Sequence, residues 1–143
     1  MSEEVCVWVF VYGTLKRGGV NHDLIGAHVL EALSARLPDH ALWCNGAYPG
    51  ARSEPDAFVE GEVLRLRDRG FVLSHLDRLE GHPLLYRRRE GLVQTEAQDI
   101  LAWFYVLNDL NSGSWRRLES SLWRPRNLSV KGQCRRGPVR PQA

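Results

Sequence analysis

The chain has 143 residues, 43% of them hydrophobic and 25% charged, a composition that suits one soluble globular domain. No apolar stretch approaches the ~20 residues of a membrane-spanning helix, and the start, with Glu3 and Glu4, lacks the basic character of a signal peptide. Cys6, Cys44 and Cys134 are odd in number and form no C-x-x-C pair, which argues against a disulfide framework or structural zinc and fits a cytoplasmic protein.

Residues 5–11 are β-branched or aromatic almost throughout and predict a strand covered on both faces. The strand breaks abruptly at Tyr12-Gly13-Thr14-Leu15, followed by the basic stretch Lys16-Arg17-Gly18-Gly19. Asn21 is a candidate cap for a helix over residues 22–33, with Leu24, Ile25, Val29 and Leu33 as its apolar positions. Residues 35–43 predict a second strand, and "NGAYPGARSEPD" reads as a loop by its glycines and prolines. "AFVEGEVLRL" alternates as a strand does, with Gly61 inside it, the mark of a bulge or a close backbone approach. A short helix over 70–80 follows, then strands over 86–95 and 100–107 joined by the polar "EAQD" as an antiparallel hairpin. Many strands with two helices predict an α+β domain built on a small, mostly antiparallel sheet or barrel.

The formal net charge of +2 is unevenly spread. Residues 124–143 hold six basic residues and no acidic one, leaving 13 basic against 17 acidic residues in 1–123, a net −4. The expected organisation is a domain over 1–123 and an irregular basic tail over 124–143.

The predicted helix carries one acid out of place. Val72, Leu73, Leu76 and Leu79 form its apolar stripe. Glu80, four residues after Leu76 and seven after Leu73, projects inside that stripe, and Asp77 falls at its edge. Gly81 and Pro83 end the helix. Burying an unpaired charge is expensive, which leaves two readings. Either Glu80 turns outward at a fraying end or pairs with Arg87, Arg88 or Arg89, or it is a partly desolvated acid with a raised pKa, suited to moving protons near neutral pH. His22, His28, His40, His75 and His82 show no metal-ligand spacing, and neither a Walker pattern nor G-x-G-x-x-G is present.

Tyr12-Gly13-Thr14-Leu15-Lys16 after a first strand, with Gly18, Asn21 and His22 beyond it, resembles the opening of the γ-glutamylcyclotransferase-like family. So do Tyr48-Pro49, Val59-x-Gly61-Glu62-Val63, Leu76-Asp77-x-x-Glu80-Gly81 with Tyr86-x-Arg88, and Trp103-Phe104-Tyr105-Val106. These motifs run in order from about residue 8 to 107, and "EGHPLLYRR" looks closest to the branch acting on γ-glutamyl amines. Leu64 stands where an aromatic residue is common, and the chain after Leu107 shows no resemblance.

The resemblance implies a small mixed, mostly antiparallel β-barrel flanked by short helices. It also implies an enzyme of acyltransferase type that converts a γ-glutamyl amine or γ-glutamyl amino acid to 5-oxoproline and the free amine. Glu80 would be the general base and then acid, and Tyr12, Gly13, Thr14 and Leu15 the substrate loop. Tyr105 is expected on the same pocket, where its ring would cover the γ-glutamyl group, the alternative being ordinary core packing. Such chemistry requires neither a metal nor a cofactor, and the expected partner is the small-molecule substrate, with no membrane. Two rivals stand beside it. One is a non-catalytic module that holds a γ-glutamyl metabolite. The other, not favoured because the body is acidic, is a binder of nucleic acid or an anionic surface through the tail, with Trp123 stacking beside it.

Overall fold

The computed structural model describes residues 5–13, 15–16, 22–45, 48–108 and 115–123. Strand β1 (Val7–Val11) lies antiparallel to β3 (Pro49–Leu66), with Val9 opposite Leu64. Strand β2 (Val29–Cys44) pairs with β3 from Val29 opposite Leu66 to Cys44 opposite Pro49. Strands β4 (Tyr86–Gln94) and β5 (Asp99–Leu107) form the expected hairpin. Parallel pairing of β5 with β1 at Trp103 and Val9, and antiparallel pairing of β4 with β2 at Gln94 and Arg36, closes the ring β1-β3-β2-β4-β5. A two-residue strand β6 (Arg116–Arg117) adds to β2. The result is the α+β architecture expected, a mixed and mostly antiparallel barrel, carrying one helix, α1 (Arg69–Glu80), among the described residues.

Two apolar layers explain why β1 is apolar on both faces. Phe10 and Tyr12 point into the barrel core with Val59, Val63, Phe104 and Val106. Val7, Val9 and Val11 point outward into a second core, where Val72, Leu73 and Leu76 of α1 cover the barrel wall. Strand β5 divides the same way, sending Phe104 and Val106 inward and Trp103, Tyr105 and Leu107 towards the helix layer. Leu64 is fully buried in that layer.

Two expectations are corrected. The helix over 22–33 is two single 3-10 turns, His22–Leu24 and Gly26–His28, after which the chain enters β2. Its apolar spacing suits a helix, but the long β3 offers partners along nearly the whole of β2 from Val29 on, and tertiary pairing overrides local periodicity. The predicted loop over 45–56 is mostly strand: β3 begins at Pro49, and the turn is held where Tyr48 N–H meets Asn45 Oδ1 at 2.8 Å. Its remaining turn-forming residues mark a bend. The register slips between Pro38 and His40, Asp39 and Asp56 both take positive φ (58° and 67°), and Asp56 N–H donates to Asp39 Oδ1 at 3.1 Å. Aspartate tolerates this left-handed conformation, and a bulge of this kind curls a long hairpin into a barrel wall.

Residues 115–123 pack onto the barrel. Leu118 N–H donates to the Leu42 carbonyl at 2.8 Å, and Glu60 N–H to the Ser121 carbonyl at 2.7 Å. Trp123 is only 4% exposed, within the barrel core, so its ring is not available to stack on a nucleic acid. Cys44 is disulfide-bonded and Cys6 is a free thiol, which amends the expectation drawn from the cysteine count. Asn21 and the tail 124–143 lie outside the described residues. No helix among the described residues is long and apolar enough to cross a membrane.

Candidate active site

Helix α1 ends in a way that fixes Glu80. Gly81 adopts a left-handed conformation with φ 65°, its N–H donates to the Arg78 carbonyl at 3.3 Å, and His82 N–H donates to the Asp77 carbonyl at 2.9 Å. This is the glycine-terminated cap that satisfies the last carbonyls of a helix. It holds the final turn closed against the barrel, with Val72, Leu73, Leu76 and Glu80 all on the buried side. Glu80 is 0% exposed and is the one buried charged side chain among the described residues. The reading in which it turns outward is thereby excluded.

The end of β1 meets this acid. Tyr12 is fully buried; its hydroxyl donates to the Tyr105 carbonyl at 2.7 Å and accepts the Ala51 N–H at 3.1 Å. After it the chain turns, Lys16 N–H donating to the Gly13 carbonyl at 3.2 Å, and Leu15 is buried in the helix layer. His22 Nδ1 lies 2.9 Å from the Leu15 carbonyl oxygen, which ties the turn to the following segment. Thr14 lies outside the described residues.

Tyr105 faces the helix rather than the barrel core, as the expectation of a place beside Glu80 requires. Its hydroxyl donates to Asp77 Oδ1 at 2.7 Å, while Asp77 Oδ2 pairs with Arg88 Nη1 at 3.1 Å. Burial holds the Tyr12 phenol well above its ordinary pKa and the charge of Glu80 adds to this, against the opposing Ala51 N–H bond. Burial likewise raises the Tyr105 phenol, followed by the bond to Asp77, the charge of Asp77 and the charge of Glu80, with Arg88 opposing. Both phenols therefore stay protonated at any ordinary pH. Glu80 acts electrostatically on both phenols, and Leu15 shares the buried helix layer with Tyr105.

Residue-by-residue reading of the sequence missed the contact of Asp77 with Tyr105 and Arg88. Its signal was present in the hairpin, because Arg88 and Tyr105 are direct register partners. A cleft of about 580 Å³ opens beside Lys16, walled by Arg36, Glu60, Glu62 and Gln94 among others. Glu80 and Tyr105 are not among its walls, and the buried acid, not this volume, locates the candidate site. Among the described residues no three His, Cys, Asp or Glu side chains gather closely enough to hold a metal ion.

The family model described as gamma-glutamyl cyclotransferase, AIG2-like, matches residues 9–125. A Vibrio cholerae protein with the provisional name gamma-glutamylcyclotransferase is 35% identical over 114 residues, which span 75% of this chain and 93% of that protein. Human gamma-glutamylaminecyclotransferase is 42% identical over 95 residues, 60% of this chain and 61% of its own. The crystal structure of an AIG2-like protein from Mus musculus superimposes with a TM-score of 0.72 and 22% identity, covering 96% of this chain and 99% of that one, a likeness of fold.

Proposed function

Because the chain belongs to the AIG2-like γ-glutamylcyclotransferase family, we propose that it converts a γ-glutamyl amine or γ-glutamyl amino acid to 5-oxoproline and the free amine, with Glu80 moving the protons. The single observation that carries this is a fully buried glutamate at the end of α1, electrostatically coupled to Tyr12 and Tyr105 where β1 ends.

The reaction asks little of the protein beyond placement. The α-nitrogen attacks the γ-carbonyl carbon of its own molecule, the new ring C–N bond forms, and the bond to the departing nitrogen breaks. Holding a tethered nucleophile in attack geometry removes much of the barrier. The substrate's α-ammonium must first lose a proton, and the departing nitrogen must gain one. Over the whole reaction two protons leave the α-nitrogen and two reach the leaving amine. A carboxylate near both nitrogens serves as base and then as acid. Glu80 is fully buried at the end of α1, and in this reading its carboxylate is the group that accepts the proton. The turn from Tyr12 to Leu15, with Gly13 allowing close backbone approach, supplies amides for the developing oxyanion. The ring of Tyr105 covers the γ-glutamyl portion.

The test is Glu80→Gln, which keeps the size of the side chain but cannot accept the ammonium proton. Release of 5-oxoproline from a panel of γ-glutamyl amines, γ-glutamyl amino acids and γ-glutamyl-lysine is expected to fall by about 10²–10⁴ in rate, with ligand affinity retained. Near-normal turnover by the folded variant overturns the assignment. Binding without any 5-oxoproline release by the wild type identifies a non-catalytic module instead.

A further inference from the structure

We propose that Asp77 and Arg88 are positioning residues for this reaction, acting through the Tyr105 hydroxyl so that its oxygen is presented to the substrate as an acceptor. The inference rests on the proposed site and adds what orients it.

Three elements meet in one chain of contacts. From β5, the Tyr105 hydroxyl reaches Asp77 Oδ1 of α1 at 2.7 Å. From β4, Arg88 Nη1 takes the other oxygen of the same carboxylate at 3.1 Å. Arg88 is itself doubly held: its guanidinium lies 4.8 Å from the centroid of the Trp103 ring, and its backbone N–H donates to His82 Nδ1 at 3.1 Å. Trp103 and Tyr105 sit two residues apart on the helix-facing side of β5, and Arg88 is opposite Tyr105 in the hairpin register. Asp77 lies three residues before Glu80, so the carboxylate that holds Tyr105 and the proposed base share one helical face.

The polarity follows from the donor and acceptor inventory. An ionised carboxylate paired with arginine only accepts hydrogen bonds. The single phenolic proton of Tyr105 must therefore point at Asp77, which leaves the lone pairs of the oxygen directed elsewhere. A hydroxyl so oriented receives an N–H donor, and the substrate's α-ammonium is the donor the reaction brings beside Glu80. Without Asp77 the hydroxyl is free to rotate and to offer its proton to the same ammonium, which repels it. Arg88 acts one step further back, engaging the other oxygen of Asp77 so that the carboxylate stays turned towards Tyr105.

The experiment is a double-mutant cycle on kcat and KM, using the γ-glutamyl compound that gives the fastest 5-oxoproline release. Asp77→Asn, Tyr105→Phe and their combination are compared with wild type, with 5-oxoproline affinity and urea unfolding measured for each. Asp77→Asn and Tyr105→Phe are each expected to lower kcat/KM by about tenfold to a hundredfold, the range of one hydrogen bond to a charged group. The double variant is expected to be no worse than the weaker single one. Arg88→Lys should retain most of the activity, while Arg88→Met should behave like Asp77→Asn. Wild-type kcat/KM in Asp77→Asn overturns the proposal, as do losses that multiply in a folded double variant. Full turnover by Glu80→Gln alongside a coupled cycle removes the proposed base and leaves the positioning role supported.

Discussion

The buried hydroxyl of Tyr12 invites a quantitative test, because Tyr12→Phe removes one atom and leaves the ring in place. That oxygen donates to the Tyr105 carbonyl at 2.7 Å and accepts the Ala51 N–H at 3.1 Å, inside a core with no exposure. It thus links the ends of β1, β5 and β3 by a single atom. Phenylalanine fills almost the same volume, so no cavity contributes to the cost. What remains is two buried backbone groups without their partner, at about 1–3 kcal/mol each. The carbonyl has a second lone pair and the N–H has no alternative, so a total of roughly 2–4 kcal/mol is expected. With an unfolding entropy of about 2.1 cal/mol/K per residue, a folded region of this size loses roughly 4 °C per kcal/mol, giving a fall of roughly 8–16 °C in Tm. Urea unfolding provides the complementary measure, with a lower midpoint and an unchanged slope. A loss below about 0.5 kcal/mol, typical of an unimportant surface change, would refute the strut. Because the phenol stays protonated, the variant removes a structural donor and no base, so substrate affinity should survive below its melting range.

Two further outcomes are open to measurement. A methyl group on Gly61 would meet the Val11 carbonyl oxygen well inside contact distance and the Phe10 Cζ at 2.8 Å; Gly61→Ala should therefore cost about 1–3 kcal/mol in urea unfolding and weaken substrate binding by displacing the end of β1, and an unchanged midpoint would show that the wall yields. Burial, assisted by the charge of Arg89 and opposed by the Pro38 carbonyl and Asp39, lowers the pKa of His40; the folded state then favours the neutral ring, so its contribution is complete above the ordinary value of 6.5 and is lost as pH falls below it. The stability gap between wild type and His40→Gln should accordingly shrink between about pH 7.5 and pH 5, and a gap that widens over this range would reverse the sign.

How far the fold could be read from the sequence depends on what each signal measures. A continuous apolar run located β1, which is buried nearly throughout, and turn chemistry and apolar spacing located β4, β5 and α1 closely. The long β2–β3 hairpin was less legible. Its β2 half begins among residues spaced like a helix, and the β3 half begins among prolines and glycines that ordinarily mean a loop. Pro38 and Pro55 flank positions where the backbone turns left-handed, at Asp39 and Asp56, and a strand that bends there contains the residues a loop would. Gly50 belongs to the same lesson. A Cβ at that position would lie 2.7–2.8 Å from the δ carbons of Leu107, so this glycine serves a close approach within the barrel rather than a flexible turn.

The site divides along the same line. Glu80 stands out in one dimension because helical periodicity alone puts it on the apolar stripe, and the glycine after it fixes where the helix must stop. Asp77 is the opposite case. On the helix it is an edge residue, indistinguishable from a solvated one, and only the sheet supplies the Arg88 and Tyr105 that meet it. A carboxylate with a tyrosine on one oxygen and an arginine on the other cannot swing without disturbing both. Glu80, whose oxygens lie in the buried layer beside two protonated phenols, experiences a different environment three residues away. Two acids on one helical face are thus separated by their neighbours, Asp77 holding Tyr105 and Arg88 at the edge of the layer and Glu80 lying fully buried within it. In the proposed mechanism Glu80 is the carboxylate that handles the reacting proton, and Asp77 is the one that holds the Tyr105 hydroxyl.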